Sequence, residues 1–159
     1  MSAESPDITA LGATASPGKP HLERLCAIRA EIGTPTEFDT SRGHGSAFFP
    51  ITGGVALAAG WRAEIVPGGA DFARRLPDDS YEVEARYLLQ LEDGTSILVR
   101  NAGRMVPQPD GSYHGRTHAE LEVPSGPHEA LADMVLFGTA FSPADAPEHV
   151  FIELWHAAI

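Results

Sequence analysis

Three stretches of about a dozen residues follow one another almost without interruption: 81–92 (YEVEARYLLQLE), 95–106 (TSILVRNAGRMV) and 112–123 (SYHGRTHAELEV). Asp93-Gly94 and Asp110-Gly111 separate them, and Pro77-Asp78-Asp79-Ser80 precedes them. Asp-Gly suits the two central positions of a tight hairpin, where φ must be positive. Each stretch would reach roughly 33–40 Å if extended. Long strands joined by tight turns form a meander, and a long twisted meander curls up to remove its edges.

The rest of the chain supplies further strands. Segments 46–52, 60–66, 131–137 and 149–157 read as extended, and 126–133 as a short helical turn. Segment 21–32 (HLERLCAIRAEI) fits both periods: Leu22, Cys26, Ile28, Ala30 and Ile32 alternate, while Leu22, Leu25, Cys26 and Ile32 suit a helix nearly as well. Counted as a strand, it brings the total to about eight. The expected fold is all-β, an antiparallel up-and-down β-barrel rather than a sandwich. Residues 1–20, rich in Pro, Gly, Ala, Ser and Thr, read as a flexible, disordered tail, and 21–159 as one domain.

Composition narrows the function classes. Hydrophobic residues at 43% of a 159-residue chain exclude wholesale disorder. Twenty-two acidic against 11 basic residues, a net charge of −11, oppose nucleic acid and anionic membrane surfaces. No apolar run approaches the roughly 20 residues that span a bilayer, and no signal segment stands at the start, so a cytoplasmic location is expected. Cys26 has no second cysteine for an internal disulfide and reads as a small packing residue.

If both Asp-Gly turns are two-residue loops, residue 92 faces 95 and 109 faces 112. Arg86 then lies opposite Asn101 and Asn101 opposite Glu120. Glu84 faces Gly103, which faces His118, and Leu88 faces Val99, which faces Glu122. Directly paired side chains interact at about 4.5–5.5 Å between Cβ atoms. One face would carry Glu82, Glu84, Arg86, Asn101, Arg116, His118, Glu120 and Glu122, together with Ile97, Val99, Gly103 and Met105. The plain alternative is a sheet with its polar face in water. Ile97, Val99 and Met105 are poor choices for a solvated centre, and Gly103 marks a bulge or a close approach. A polar lumen is therefore expected, with an apolar exterior covered by self-association into a homo-oligomer.

The chain also resembles a known family. Ile51-Thr52-Gly53-Gly54, Pro67-Gly68-Gly69-Ala70-Asp71-Phe72, Glu84-Ala85-Arg86-Tyr87, Val99-Arg100-Asn101-Ala102-Gly103-Arg104, Arg116-Thr117 and Leu121-Glu122 are similar in order and spacing to the domain of unknown function 3237, also called uncharacterised protein family 0311. The resemblance covers most of 21–157. It implies an antiparallel β-barrel and supplies no settled activity. Gly115, Leu121, Leu131-Ala132-Asp133 and Ser46 depart from the family pattern.

Glu84, Arg86, Arg116 and Glu122 match family motif positions on the expected polar face. Two arginines among carboxylates would stabilise an anionic or enolate-like group, and a buried carboxylate could take a proton from carbon. Their alternative is a surface ion-pair ladder of little energetic worth. Asp71 follows a Gly-rich turn, either capping local N–H groups or standing at the barrel rim as base or acceptor. His118 is a candidate proton relay, with Asn101 and Glu120 as substrate-orienting groups. His114 and His118, about 13 Å apart on a strand, cannot share a metal ion. Trp61 is a barrel plug or a wall of the substrate site. No nucleotide, flavin or metal signature stands out, so no cofactor is expected.

The sequence thus points to a cofactor-independent enzyme acting on a small organic molecule with an anionic or enolisable group. The reaction would be of isomerase, cyclase or lyase type. Glu84 would be base or acid, with Arg86 and Arg116 stabilising negative charge. Two alternatives stand beside it: a non-catalytic ligand-binding barrel and a structural or oligomerisation module.

Overall fold

The computed structural model describes residues 7–159. Nine strands follow in chain order: β1 (His21–Ile32), β2 (Thr36–Asp39), β3 (Gly45–Ala58), β4 (Trp61–Arg75), β5 (Tyr81–Leu91), β6 (Ser96–Pro107), β7 (Tyr113–Glu122), β8 (Leu136–Ser142) and β9 (His149–Ala158). From β3 to β9 each strand pairs antiparallel with the next. β9 then pairs with β1, and β1 with β3. Eight strands close the barrel, and β2 adds a ninth along part of β3. The up-and-down barrel expected from the turns is the fold.

Segment 21–32 resolves as a strand because its period-two set is the buried one: Cys26, Ile28 and Ala30 are each 3% exposed or less. The helical turn expected near 126–133 is a 3-10 turn at Glu129–Asp133, with Leu131 buried. That turn occupies much of the strand expected over 131–137, and β8 starts only at Leu136. Within the expected tail, Ile8–Leu11 forms a 3-10 turn capped by Asp7. Residues 1–6 lie outside the described residues.

The Gly-rich segment 67–71 is not a turn between strands. It lies inside β4 as a bulge, where the pairing with β5 shifts between Val66 and Ala70 and Gly68 takes φ +120°. A second bulge interrupts β3 between Ile51 and Val55. There Gly54 has φ +134°, and a Cβ would run into the Arg29 carbonyl of β1. Bulges bend the strands that carry them, which lets two long strands wrap around a narrow barrel.

The hairpins correct the expected register. Gly94 and Gly111 both lie in the left-handed region, at φ +89° and +86°. In the β5–β6 connection, Gly94 N–H donates to the Leu91 carbonyl and Leu91 N–H to the Thr95 carbonyl. Gln108, Gly111 and Ser112 repeat this in the β6–β7 connection. These loops have one residue more than a two-residue turn, a type I turn closed by a left-handed residue. Asp93 and Asp110 favour it, each accepting with Oδ1 from the backbone N–H two residues on, at 2.9 Å.

Each turn therefore slips the pairing by one residue. The two slips cancel between β5 and β7 but invert β6. Glu84 pairs with Ala102 and Ala102 with His118; Arg86 pairs with Arg100 and Arg100 with Glu120; Leu88 pairs with Leu98 and Leu98 with Glu122. The charged face stays together and takes Arg100 and Arg104 from β6. Asn101 joins the other face, level with Ala85 and Ala119.

That other face is the interior. Tyr87, Leu89, Leu91, Ile97, Val99 and Leu154 are each 3% exposed or less and fill one end of the barrel. The apolar side of β5–β7 thus lies inside. Toward the other end the inward positions become small: Ala85, Gly103, Gly115, Ala119, Gly138 and Ala140. Gly103 is the close approach that its position suggests, since a Cβ would strike the Arg116 carbonyl and Thr117 on β7.

Candidate functional site

Small side chains leave a cavity of about 320 Å³ in that half of the barrel. It opens where β1, β4, β6 and β8 end, and the segments around Pro35 and Pro143–Pro147 rim its mouth. Its size is at the lower end of the ~300–1,000 Å³ typical of small-molecule pockets. Val83, Met105, Phe49, Ile152 and Val150 make the wall mostly apolar.

One transverse row of the wall carries the polar groups. Phe49, Asp71, Ala85, Asn101 and Ala119 lie side by side across β3–β7. Ala85 between Asp71 and Asn101 leaves the space over β5 open to a ligand. Thr117 lies two residues from Ala119 and also faces the cavity. Asn101 Oδ1 and Thr117 Oγ1 are buried and have no hydrogen-bond partner among the described residues. Tyr87 OH, deeper in the barrel, is in the same condition. His156 Nδ1 on β9 is a fourth such atom. A buried polar group without a partner costs on the order of 1–3 kcal/mol, so the two on the cavity wall call for an explanation.

Asp71 is the titrating group of this row. It retains some solvent contact, yet protein packs around most of its carboxyl. Burial raises its pKa from the usual carboxylate range to about 6; the Glu84 backbone N–H, donating to Oδ1 at 3.1 Å, opposes that rise, and the Glu84 charge adds to it. At the mouth, Tyr81 OH donates to Glu37 Oε1 at 2.7 Å, tying β5 to β2. The Tyr81 ring packs edge-on against Phe49 and Tyr113, with centroids 5.9 and 5.7 Å apart.

The charged residues singled out in the sequence lie on the outer surface. Glu84 Oε1 accepts from Arg100 Nε at 2.8 Å and from Arg86 Nη2 at 3.0 Å. These two arginines, Arg100 before Arg86, hold its carboxyl below the ordinary range. Arg100 also approaches Glu120 at 3.8 Å. Arg116, His118 and Glu120 are exposed and Glu122 ends β7 on the same outer face. The lumen expected to hold Glu84, Arg86, Arg116, His118, Glu120 and Glu122 is instead lined by the opposite face. The physical reason is the extra residue in each hairpin, which brings only β6 into agreement with the hydrophobic alternation of its neighbours. Trp61 packs inward beside the β3–β4 turn, at the filled end and away from the cavity.

Of the candidates, Asp71 and Asn101 reach the cavity. Glu37, Tyr81 and Thr117 also line it and were not singled out, nor was Tyr87 in the packed end. Tyr87 and Thr117 alternate with Ala85 and Ala119, so the period-two pattern already put them on the inner face. Glu37 carried no signal, because β2 is four residues long and entirely exposed. Among the described residues no three metal-ligating side chains gather, and no helix is long and apolar enough to cross a membrane.

Comparison with known proteins places this geometry in a family. A hydroalkoxylation enzyme, phnH of Penicillium herquei, is 32% identical over 92 residues, 58% of this chain and 60% of that protein. A UPF0311 protein of Rhodopseudomonas palustris is 34% identical over 76 residues, 48% of this chain and 50% of the relative. The matched segments thus span about half to three-fifths of these relatives. Among solved structures, a β-barrel-like protein of Acinetobacter baumannii aligns with a TM-score of 0.81 at 20% identity, over 90% of this chain and 99% of that one. An enzyme from Penicillium herquei aligns with a TM-score of 0.71 at 22% identity, over 92% of this chain and 100% of that one. At such identities these likenesses concern the fold. The model of the family described as "Protein of unknown function (DUF3237)" matches residues 20–156, and the chain belongs to that family.

Proposed function

We propose that the cavity is the active site of an enzyme that relocates a proton on a small organic molecule, with Asp71 as the base. The observation that carries this reading is a carboxyl raised to about 6, on the wall of an apolar cavity, in one row with the unpartnered Asn101. A carboxylate with a pKa near neutrality accepts and returns a proton more readily than one in water.

The hydroalkoxylation activity of the Penicillium relative suggests the reaction type. In an alkene hydroalkoxylation, Asp71 takes the proton of a substrate hydroxyl. The oxygen lone pair forms a C–O bond to one carbon of a carbonyl-conjugated alkene. The displaced π electrons then take the proton back from Asp71 at the other carbon. Product and substrate are isomers, so atoms and charge balance without a redox partner. Asn101 and Thr117 would hold the oxygens of the reacting system. A narrow cavity would also fold a flexible substrate into a reactive shape, a large source of acceleration.

The test is turnover of a panel of hydroxyalkyl enones, followed by NMR, with wild type and Asp71→Asn. The expected result is cyclisation by wild type and a loss of about 10²-fold or more in the variant, with circular dichroism unchanged. Equal rates for the two proteins would overturn the assignment of Asp71. Binding without turnover by either would favour a ligand-binding barrel.

A further inference from the structure

We infer that the cavity selects uncharged molecules bearing a hydroxyl group and rejects anions. This deepens the functional reading above and rests on it for the identity of the site.

The argument starts from charge. Asp71 and Glu37 line the cavity, while among the described residues no lysine or arginine lines it. An incoming carboxylate or phosphate would lose its hydration and face like charge without a cation in compensation. The arginines that the sequence seemed to offer such a group, Arg86 and Arg116, lie on the outer face.

Hydrogen bonding then favours a hydroxyl group. The unpartnered groups are of both kinds. Asn101 Oδ1 can only accept, whereas the hydroxyl of Thr117 can also donate. A carboxylate accepts only and leaves Asn101 Oδ1 and Asp71 unmatched. A hydroxyl does both in one atom, and a neighbouring carbonyl would take up a further donor. The apolar remainder of the wall favours a carbon skeleton with few other polar atoms.

A series on one ring system tests this: 2-naphthol, 2-naphthoate and naphthalene. Binding is measured by calorimetry at roughly 0.15 M salt, where charges beyond about 8 Å are screened and the net charge of the chain counts little. The expected result is naphthol tightest, by about tenfold or more over each of the others. Asp71→Asn should narrow the gap between naphthol and naphthoate. Thr117→Val, nearly isosteric and checked by its melting temperature, should narrow the gap between naphthol and naphthalene.

Naphthoate binding as tightly as naphthol would overturn the inference, as would equal binding of naphthalene or no binding of naphthol. The catalytic reading fails separately. It falls if Asp71→Asn retains turnover, whatever the order of the naphthyl series.

Discussion

Glu84 and Asp71 meet through the wall of the barrel. The backbone N–H of Glu84 donates to Asp71 Oδ1 at 3.1 Å, while the Glu84 carboxylate turns outward into Arg100 at 2.8 Å. One residue thus steadies the interior acid with its backbone and belongs to the surface with its side chain. The two carboxyls move in opposite directions, Asp71 up by burial and Glu84 down by its arginines.

Stability should fall as pH rises past Asp71. Its folded pKa of about 6 lies above the ordinary aspartate value of 3.8. Between these values the native state holds more protons than the unfolded chain, so unfolding becomes easier as pH rises. At ~1.4 kcal/mol per pKa unit the total effect is on the order of a few kcal/mol. Asp71→Asn removes it. Urea denaturation from pH 4 to 7.5 should show the variant gaining on wild type up to about pH 6 and holding a constant difference above it.

Turnover should rise with pH through about 6, because the base role requires the Asp71 carboxylate. Glu84→Gln removes a negative charge beside it while leaving the backbone N–H in place. The midpoint of the pH–rate profile should then move to lower pH, with the plateau rate within about twofold of wild type. The outer ion pairs of Glu84 are partly exposed, so the loss of stability should stay under about 1 kcal/mol. Abolished plateau turnover in Glu84→Gln would move the chemistry to the outer face.

Gly103→Ala should destabilise the barrel by about 1–3 kcal/mol, because the added methyl meets backbone of β7, which cannot turn aside as a side chain would. Chemical denaturation reads this directly. A change smaller than about 0.5 kcal/mol would mean that β6 and β7 are less closely apposed than described.

The β4–β5 connection repeats the turn of the next two hairpins, but Asp79 holds the left-handed position, at φ +63°, where the others have Gly94 and Gly111. Asp tolerates that region better than most residues, though less well than glycine. Asp79→Gly should raise stability by about 0.5–1 kcal/mol, seen as a higher melting temperature.

Cys26 is 3% exposed, and burial pushes its thiol up to about 12. A disulfide reagent should leave it untouched in the native protein and label it at a rate set by opening of the barrel. Rapid labelling under native conditions would contradict the packing of β1 against β9.

Turn residues and period-two alternation made the barrel legible in the sequence, down to the charged face that β5 and β7 share. What could not be read was the length of two loops. Asp-Gly fits a two-residue turn and also a three-residue turn ending in a left-handed glycine, and the choice decides which face Asn101 joins. Ile97, Val99 and Met105 held the answer, since their burial requires them to share a face with Tyr87 and Leu89. Asp71 was legible as a candidate because a Gly-rich bulge precedes it. Its neighbours were not, because Ala85 and Gly103 announce a hollow only once the register is known.

The division of the barrel into a packed half and a hollow half has an evolutionary consequence. Leu89, Ile97 and Leu154 anchor the fold at a distance from Asp71. Exchanges at Ala85, Ala119 or Ala140 would recontour the chamber while leaving that anchor intact. A lineage built on this plan can trade one ligand for another through single substitutions, without endangering the scaffold that carries them.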